Sequence, residues 1–180
     1  MQLTTDRLLI RDWTIDDAPT ALDILSRVEV VKWLGDGEPK LMKDLDEARE
    51  RIGTWLVRDD PPCGFWAIEV ADGGPLDGRV IGSVLLVPLP NNENGEIEIG
   101  WHLHPDAWGY GYAPEAARVI LDRGFEGGLP DIHAVTHLTN DASMSVARKI
   151  GMEHRGIVTS WYDDPSQYFV ITREQWAARR

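Results

Sequence analysis

The sequence predicts an α+β fold: a mixed, mostly antiparallel central sheet of about seven strands flanked by helices. Three observations carry that expectation. In residues 96–103, Ile97, Ile99, Trp101 and Leu103 alternate with Glu96, Glu98, Gly100 and His102, the period of a strand with one apolar and one functional face. In residues 113–125, Ala113, Ala117, Ile120, Leu121 and Phe125 keep helical spacing, and Gly127-Gly128 stops the run. Before this strand, residues 65–70 and 80–87 read as a hairpin around Gly73-Gly74-Pro75, so three successive strands pair antiparallel. After the helix, residues 131–138 form a strand reached by a crossover and therefore parallel to its predecessor.

The remaining elements follow in order. Residues 8–13 are a first strand, and Thr14 caps a helix running to Ser26 with Asp16 and Asp17 in its first turn. Residues 28–34 are a short apolar patch, and Lys43–Arg58 is a second helix carrying Leu45, Ala48, Ile52, Trp55 and Leu56 at helical spacing. Asn140 opens a short helix that ends at Gly151. Residues 153–161 and 168–172 are two closing strands, followed by a helical turn at residues 173–176.

With 180 residues and no internal repeat or low-complexity run, residues 1–180 are expected to form a single domain. A hydrophobic content of 43% with 27% charged residues is that of a globular protein, and no apolar run approaches a membrane span. Met1–Arg7 lacks a basic region followed by an apolar core, and the lone Cys63 precludes an internal disulfide, so a cytoplasmic location is expected. The net charge of −12 repels nucleic acid. The acidity either keeps the protein soluble or attracts a cationic amine substrate.

The organising stretch is Trp108-Gly109-Tyr110-Gly111-Tyr112-Ala113-Pro114, between the strand at 96–103 and the helix that follows. Its two glycines free the backbone for a tight turn, and Pro114 suits the first residue of the helix. Such a turn aims several N–H groups at one spot, at the positive end of a helix, which suits a phosphate or pyrophosphate. A dinucleotide-binding Gly-x-Gly-x-x-Gly would want glycine where Pro114 stands and an acidic residue where the next strand ends in His137-Leu138. A nucleoside-triphosphate loop, or a pyridoxal-phosphate lysine here, fails because no lysine lies between Lys43 and Lys149. The stretch resembles the acyl-CoA motif of the GNAT superfamily of N-acetyltransferases, Gln/Arg-x-x-Gly-x-Gly/Ala after a strand, with Gly111 and Ala113 matching. Trp108 replaces Gln/Arg, a spelling shared by the branch that acetylates ribosomal-protein N-terminal alanines (RimJ/RimL-like). A second block, Asn140 to Ser143 and then Lys149-Ile150-Gly151-Met152, resembles the Asn-x-x-Ser/Ala and Lys-Leu-Gly-Phe helix of the same superfamily. The closing Arg173-Glu174-Gln175-Trp176 also looks like this branch, so the resemblance spans nearly the whole chain.

The resemblance implies an acetyl-CoA-dependent N-acetyltransferase with a sheet splayed at its parallel pair. The acceptor would be a protein N-terminus or a small amine, the aminoglycoside or polyamine kind included. A non-catalytic acyl-CoA-binding sensor is the reading from another class. Backbone amides of Trp101, His102 and Leu103 would grip the pantetheine arm, Gly109, Tyr110, Gly111, Tyr112, Ala113 and Pro114 would hold the pyrophosphate, and Asn140 would add a polar contact. Glu98 is either the base that takes the amine proton through a water or a carboxylate that orients a cation. The superfamily's general-acid tyrosine is missing, since Ala147 stands there. Ser143 is the substitute, though a serine also caps a helix or holds the thioester sulfur. Trp33, Asp36 and Trp55 from the helical pair, with Trp161 and Tyr168 from the last hairpin, would select the acceptor, unless the tryptophans are simply core. His102 and His104, with Glu96 or Glu98, admit a metal reading that this chemistry does not need, so no metal is expected; His102 is also an alternative base. Cys63 sits in a proline-rich linker without a nearby His or Asn, which argues against a nucleophile. The expected partners are acetyl-CoA and an amine acceptor, with homodimerisation left open, and neither nucleic acid nor membrane.

Overall fold

The computed structural model describes residues 1–57 and 60–179. Among them, eight strands make one sheet: β1 (Gln2–Thr4), β2 (Leu8–Asp12), β3 (Gly64–Val70), β4 (Val80–Pro88), β5 (Ile97–Leu103), β6 (Asp131–His137), β7 (Glu153–Val158) and β8 (Ser166–Thr172). Their spatial order is β1-β2-β3-β4-β5-β6-β8-β7. Every neighbouring pair is antiparallel except β5 with β6, so the mixed, mostly antiparallel expectation holds. The strand beyond the expected seven is β1, which pairs Leu3 with Ile10 at the sheet edge. Three residues with one apolar side chain leave no periodicity to read, and β1 exists because β2 offers it an edge.

The helices are α1 (Ala18–Leu25), α2 (Val28–Val31), α3 (Leu45–Leu56), α4 (Tyr112–Glu126), α5 (Asp141–Lys149) and α6 (Arg173–Ala177). After Thr14 the chain first makes a 3-10 turn at Ile15–Asp17, and Pro19 lies in the opening turn of α1. The patch at 28–34 contains the short helix α2. For α3, the Asp44 carboxylate caps the helix by accepting the N–H groups of Asp46 and Glu47 at 3.0 and 2.9 Å, which sets the start two residues after Lys43. The end expected at Arg58 lies outside the described residues. Helix α4 starts at Tyr112, so Pro114 is its third residue rather than its first. The first four N–H groups of a helix have no partner within it, so proline costs nothing there either.

Successive residues of β3 fall into different cores: Trp66 and Ile68 pack with one cluster, Phe65 and Ala67 with another, as the strand period requires. The first cluster lies under α4 and α5, where Ala116, Ala117, Ile120 and Leu121 meet Val84, Leu86, Ile99 and Ile132. The second joins α1, α2 and α3 through Trp13, Ile24, Val31, Ile52 and Trp55. Helix α4 is thus seated across the middle of the sheet, which fixes where its N-terminus points. Ile120 is fully buried in that contact. Ile120→Ala should lower the unfolding free energy by roughly 2–5 kcal/mol in urea titrations with unchanged native far-UV circular dichroism. A loss under about 1 kcal/mol would contradict this seating.

Candidate active site

Strands β5 and β6 are bridged at one residue pair, Glu98 with His133. Beyond it they part. Bonds from Leu89 N–H to the Glu96 carbonyl and from His104 N–H to the Ile81 carbonyl frame the β4–β5 register. Antiparallel hydrogen-bonded pairs alternate with unbonded ones, so the even-numbered residues of β5 are tied to β4 and the odd-numbered ones turn toward β6. Past the bridge, the N–H groups of Trp101 and Leu103 therefore face the gap, while that of His102, expected to join them, is turned to Ser83 on β4 instead. The Leu103 carbonyl on that side accepts the Trp108 indole N–H at 3.0 Å. Trp108, the departure from Gln/Arg, thereby pins the turn to the end of the strand.

The gap opens into a cleft of about 1030 Å³. One wall is the turn into α4. Gly109 and Gly111 have φ of +86° and +83°, the left-handed region that a side chain rarely adopts. A Cβ on Gly109 would meet no atom within 4 Å, so glycine serves the backbone conformation there. The turn is braced from behind. Thr5 Oγ1 donates to Glu115 Oε1 at 2.6 Å, and Arg7 donates to Glu115 Oε2 through Nε and Nη2 at 2.8 and 2.6 Å. Arg7 Nη1 also donates to the Tyr110 carbonyl at 3.0 Å, and the Tyr112 hydroxyl donates to Asp72 at 2.7 Å. The Asp72 carboxylate pushes the Tyr112 phenol up to about 12, so it stays a donor. Unpaired N–H groups, left-handed glycines and open space in front of them fit a pyrophosphate.

At the other helix end, Asn140 Oδ1 accepts the Ser143 N–H at 3.1 Å and caps α5. Asn140, Ser143 and Ala147 line the cleft. The opposite wall of the cleft is lined by Trp33, Asp36, Trp55, Phe65 and Tyr162, with Glu98 and His102 between the two walls. Trp55 stacks flat on Phe65 at 4.4 Å and is 8% exposed, so it belongs to the core and to the cleft wall at once. Trp33 meets the His137 ring edge-on at 5.9 Å, linking the end of α2 to the end of β6.

Most of the expected site residues reach this cleft: Glu98, Trp101, His102, Leu103, Gly109, Gly111, Tyr112, Ala113, Pro114, Asn140, Ser143, Trp33, Asp36 and Trp55. Three do not. Tyr110 is exposed and stacks on Tyr112 at 5.5 Å, outside the cleft. Trp161 and Tyr168 pack on each other at 5.1 Å and on His133, whose Nδ1 hydrogen-bonds the Tyr168 hydroxyl at 2.9 Å. Tyr162 occupies the place expected for them, and its hydroxyl donates to Glu98 Oε2 at 2.8 Å. Nothing in the local pattern separates Tyr162 from its aromatic neighbour, because its partner lies 64 residues away.

Burial pushes the Glu98 carboxyl up to about 7, against the opposing pull of the Tyr162 hydroxyl and the Val135 N–H. Burial pushes the His102 imidazole down to about 4, so it is neutral at pH 7 and the weaker base. His104 Nε2 faces Asp23 at 3.2 Å rather than joining His102, and among the described residues no group of three His, Cys, Asp or Glu side chains could hold a metal. Burial raises the Cys63 thiol away from the reactive thiolate, and Cys63 lies outside the cleft.

A left-handed glycine turn at a helix N-terminus thus stands beside a sheet opened at its parallel pair. Residues 7–153 match the family model described as acetyltransferase (GNAT) domain. The chain belongs to this family. It is 32% identical over 165 residues to the Aspergillus fumigatus FsC-acetyl coenzyme A-N(2)-transacetylase, covering 82% of this chain and 66% of that protein. It is 30% identical over 169 residues to the Bacillus subtilis uncharacterized N-acetyltransferase YoaA, covering 92% and 91%. Its fold also matches RimL, a ribosomal L7/L12 α-N-protein acetyltransferase solved with coenzyme A, at TM-score 0.78 and 14% identity over 97% of this chain and 99% of that one. The acetyltransferase uses acetyl-CoA as co-substrate and an amine as acceptor. No helix among its described residues is long and apolar enough to cross a membrane.

Glu98 leaves a mark on stability. An unfolded glutamate titrates near about 4.3, so the folded acetyltransferase holds this proton more tightly and loses stability as pH rises toward about 7. Glu98→Gln removes that titration. Its stability relative to wild type should rise by roughly 3 kcal/mol between pH 4.5 and pH 8, read by urea unfolding at both. A difference that does not change with pH would contradict the raised carboxyl.

Proposed function

We propose that the enzyme transfers acetyl directly to a primary amine in a ternary complex, with Glu98 as the base. The observation that carries this reading is the Glu98 carboxyl, buried where β5 and β6 part, between the glycine turn and the aromatic wall. Acetyl-CoA supplies the thioester that the neutral amine attacks. Amines reach the enzyme protonated, so a base must act first, and a carboxylate with its proton affinity near neutrality suits that step. The Trp101 and Leu103 N–H groups, turned to the gap, would polarise the acetyl carbonyl. Gly109, Tyr110, Gly111, Tyr112, Ala113 and Pro114 would hold the pyrophosphate through the backbone, a role that does not need the Tyr110 side chain in the cleft. Asn140 would hold the arm of the co-substrate and Ser143 would face its sulfur. The unbroken sheet from β1 to β7 supports reading residues 1–180 as one catalytic domain.

For the acceptor, the acids Glu29, Asp36, Glu98 and Asp164 outnumber the cations Lys32 and Arg51 along the cleft beside Trp33 and Trp55, which favours a cationic amine. Two kinds share that chemistry. The Trp-Gly-x-Gly-Tyr-Ala spelling at residues 108–113 favours a protein N-terminus, as in the RimJ/RimL-like branch. The name of the fungal relative, an N(2)-transacetylase, favours a small molecule. A non-catalytic sensor is favoured by one feature, Ala147 in place of the superfamily's general-acid tyrosine.

Thiol release from acetyl-CoA across peptides, polyamines and aminoglycosides separates these readings. Glu98→Gln should lower kcat by roughly a hundredfold with unchanged acetyl-CoA affinity, and high pH should partly restore the rate. Binding of CoA without turnover of any amine would favour the sensor. A Glu98→Gln loss confined to the acceptor's KM would make Glu98 an orienting charge instead.

A further inference from the structure

We propose that Tyr162 is a positioning residue for this reaction: its hydroxyl holds the Glu98 carboxylate in the orientation, and in the ionised state, that proton abstraction requires. The inference rests on Glu98 being the base. Tyr162 stands on the connection between β7 and β8, and its ring lines the acceptor half of the cleft. Its hydroxyl donates to Glu98 Oε2 at 2.8 Å, and the Val135 N–H on β6 also favours the charged form of the same carboxylate. These donors approach from different elements, so they fix the plane of a carboxylate that would otherwise rotate about its last bond. The connection is itself anchored, because Asn91 Nδ2 donates to the Trp161 carbonyl at 3.2 Å.

The other ionisable groups around Glu98 are placed differently. Glu96 and His102 flank it on β5, and His133 stands opposite on β6 with its ring nitrogens bonded to Tyr168 and Asp131. Glu29 on α2, Asp36 after α2 and Asp164 on the β7–β8 connection line the cleft. Tyr162 is the side chain whose hydrogen bond reaches the carboxylate. A phenol donates to a carboxylate but has little to offer a protonated carboxyl, so its bond opposes the rise caused by burial. Burial and the neighbouring Glu98 and Asp36 charges keep the Tyr162 proton in place across the neutral range.

Tyr162→Phe deletes the hydroxyl and keeps the ring. The test pairs two readouts. Side-chain carboxyl resonances of 13C-labelled protein, with Glu98 assigned by its disappearance in Glu98→Gln, are titrated in wild type and Tyr162→Phe without any ligand. The pH dependence of kcat/KM is then measured for both with a productive amine. The Glu98 midpoint should move up by about one pH unit, a tenfold change in proton affinity or about 1.4 kcal/mol. The acid limb of the rate profile should move with it and the high-pH plateau should fall by roughly threefold or more, because the ionised carboxylate is no longer oriented, while the acetyl-CoA KM changes by less than about threefold. An unmoved midpoint would overturn the role of Tyr162 while leaving Glu98 as base. A midpoint that moves while the rate profile stays would remove Glu98 from the chemistry, and the positioning role with it.

Discussion

Two neighbouring strands that run parallel for one residue pair and then separate impose the constraint on which this structure turns. Backbone groups past Glu98 and His133 lose their ladder partners, and buried N–H groups without partners are costly. Part of that cost is met within the protein, where the Trp108 indole satisfies the Leu103 carbonyl and the Val135 N–H favours the charged Glu98 carboxylate. What stays open is the pair of N–H groups of Trp101 and Leu103, the donors proposed above for the thioester. Helix α4, seated across the sheet by Ile120 and Leu121, brings the left-handed turn to the mouth of this opening.

The same parting explains the electrostatics. A carboxylate at the apex of a gap between strands is cut off from water by both of them, and the sheet places Glu98 there by register alone. Its ionisation is then favoured by a hydrogen bond from a tyrosine on a distant connection and by the nearby Val135 N–H of β6. His102, four residues along the strand on the same face, has no such support and is driven to the neutral form. Desolvation thus has opposite consequences for an acid and a base, and it leaves the glutamate as the group poised near neutral pH.

Much of this was legible in the sequence because it is local. The alternation at residues 96–103, the paired glycines and the capped helix at Asn140 each declare themselves within a dozen residues. The misses are long-range. Strand β1 depends on β2 for its existence, and Tyr162 owes its position to a glutamate three strands of chain earlier. Trp161 and Tyr168 are expected at the acceptor from their place on the last hairpin, yet the hairpin turns both of them onto His133 and presents Tyr162 to the cleft. Pro114 was expected to open α4, but the positive φ of Gly111 already starts the helix at Tyr112. The Arg7–Glu115 brace behind the turn joins residues 108 positions apart, beyond the reach of any local pattern.

The most direct test of the account is a crystal structure of the protein with CoA. The account predicts the pantetheine arm in the gap between β5 and β6, its polar atoms on the Trp101 and Leu103 N–H groups, with the pyrophosphate against the turn at residues 109–114. CoA bound elsewhere, or a β6 edge closed onto β5 with the Glu98 carboxylate turned away from the gap, would contradict it.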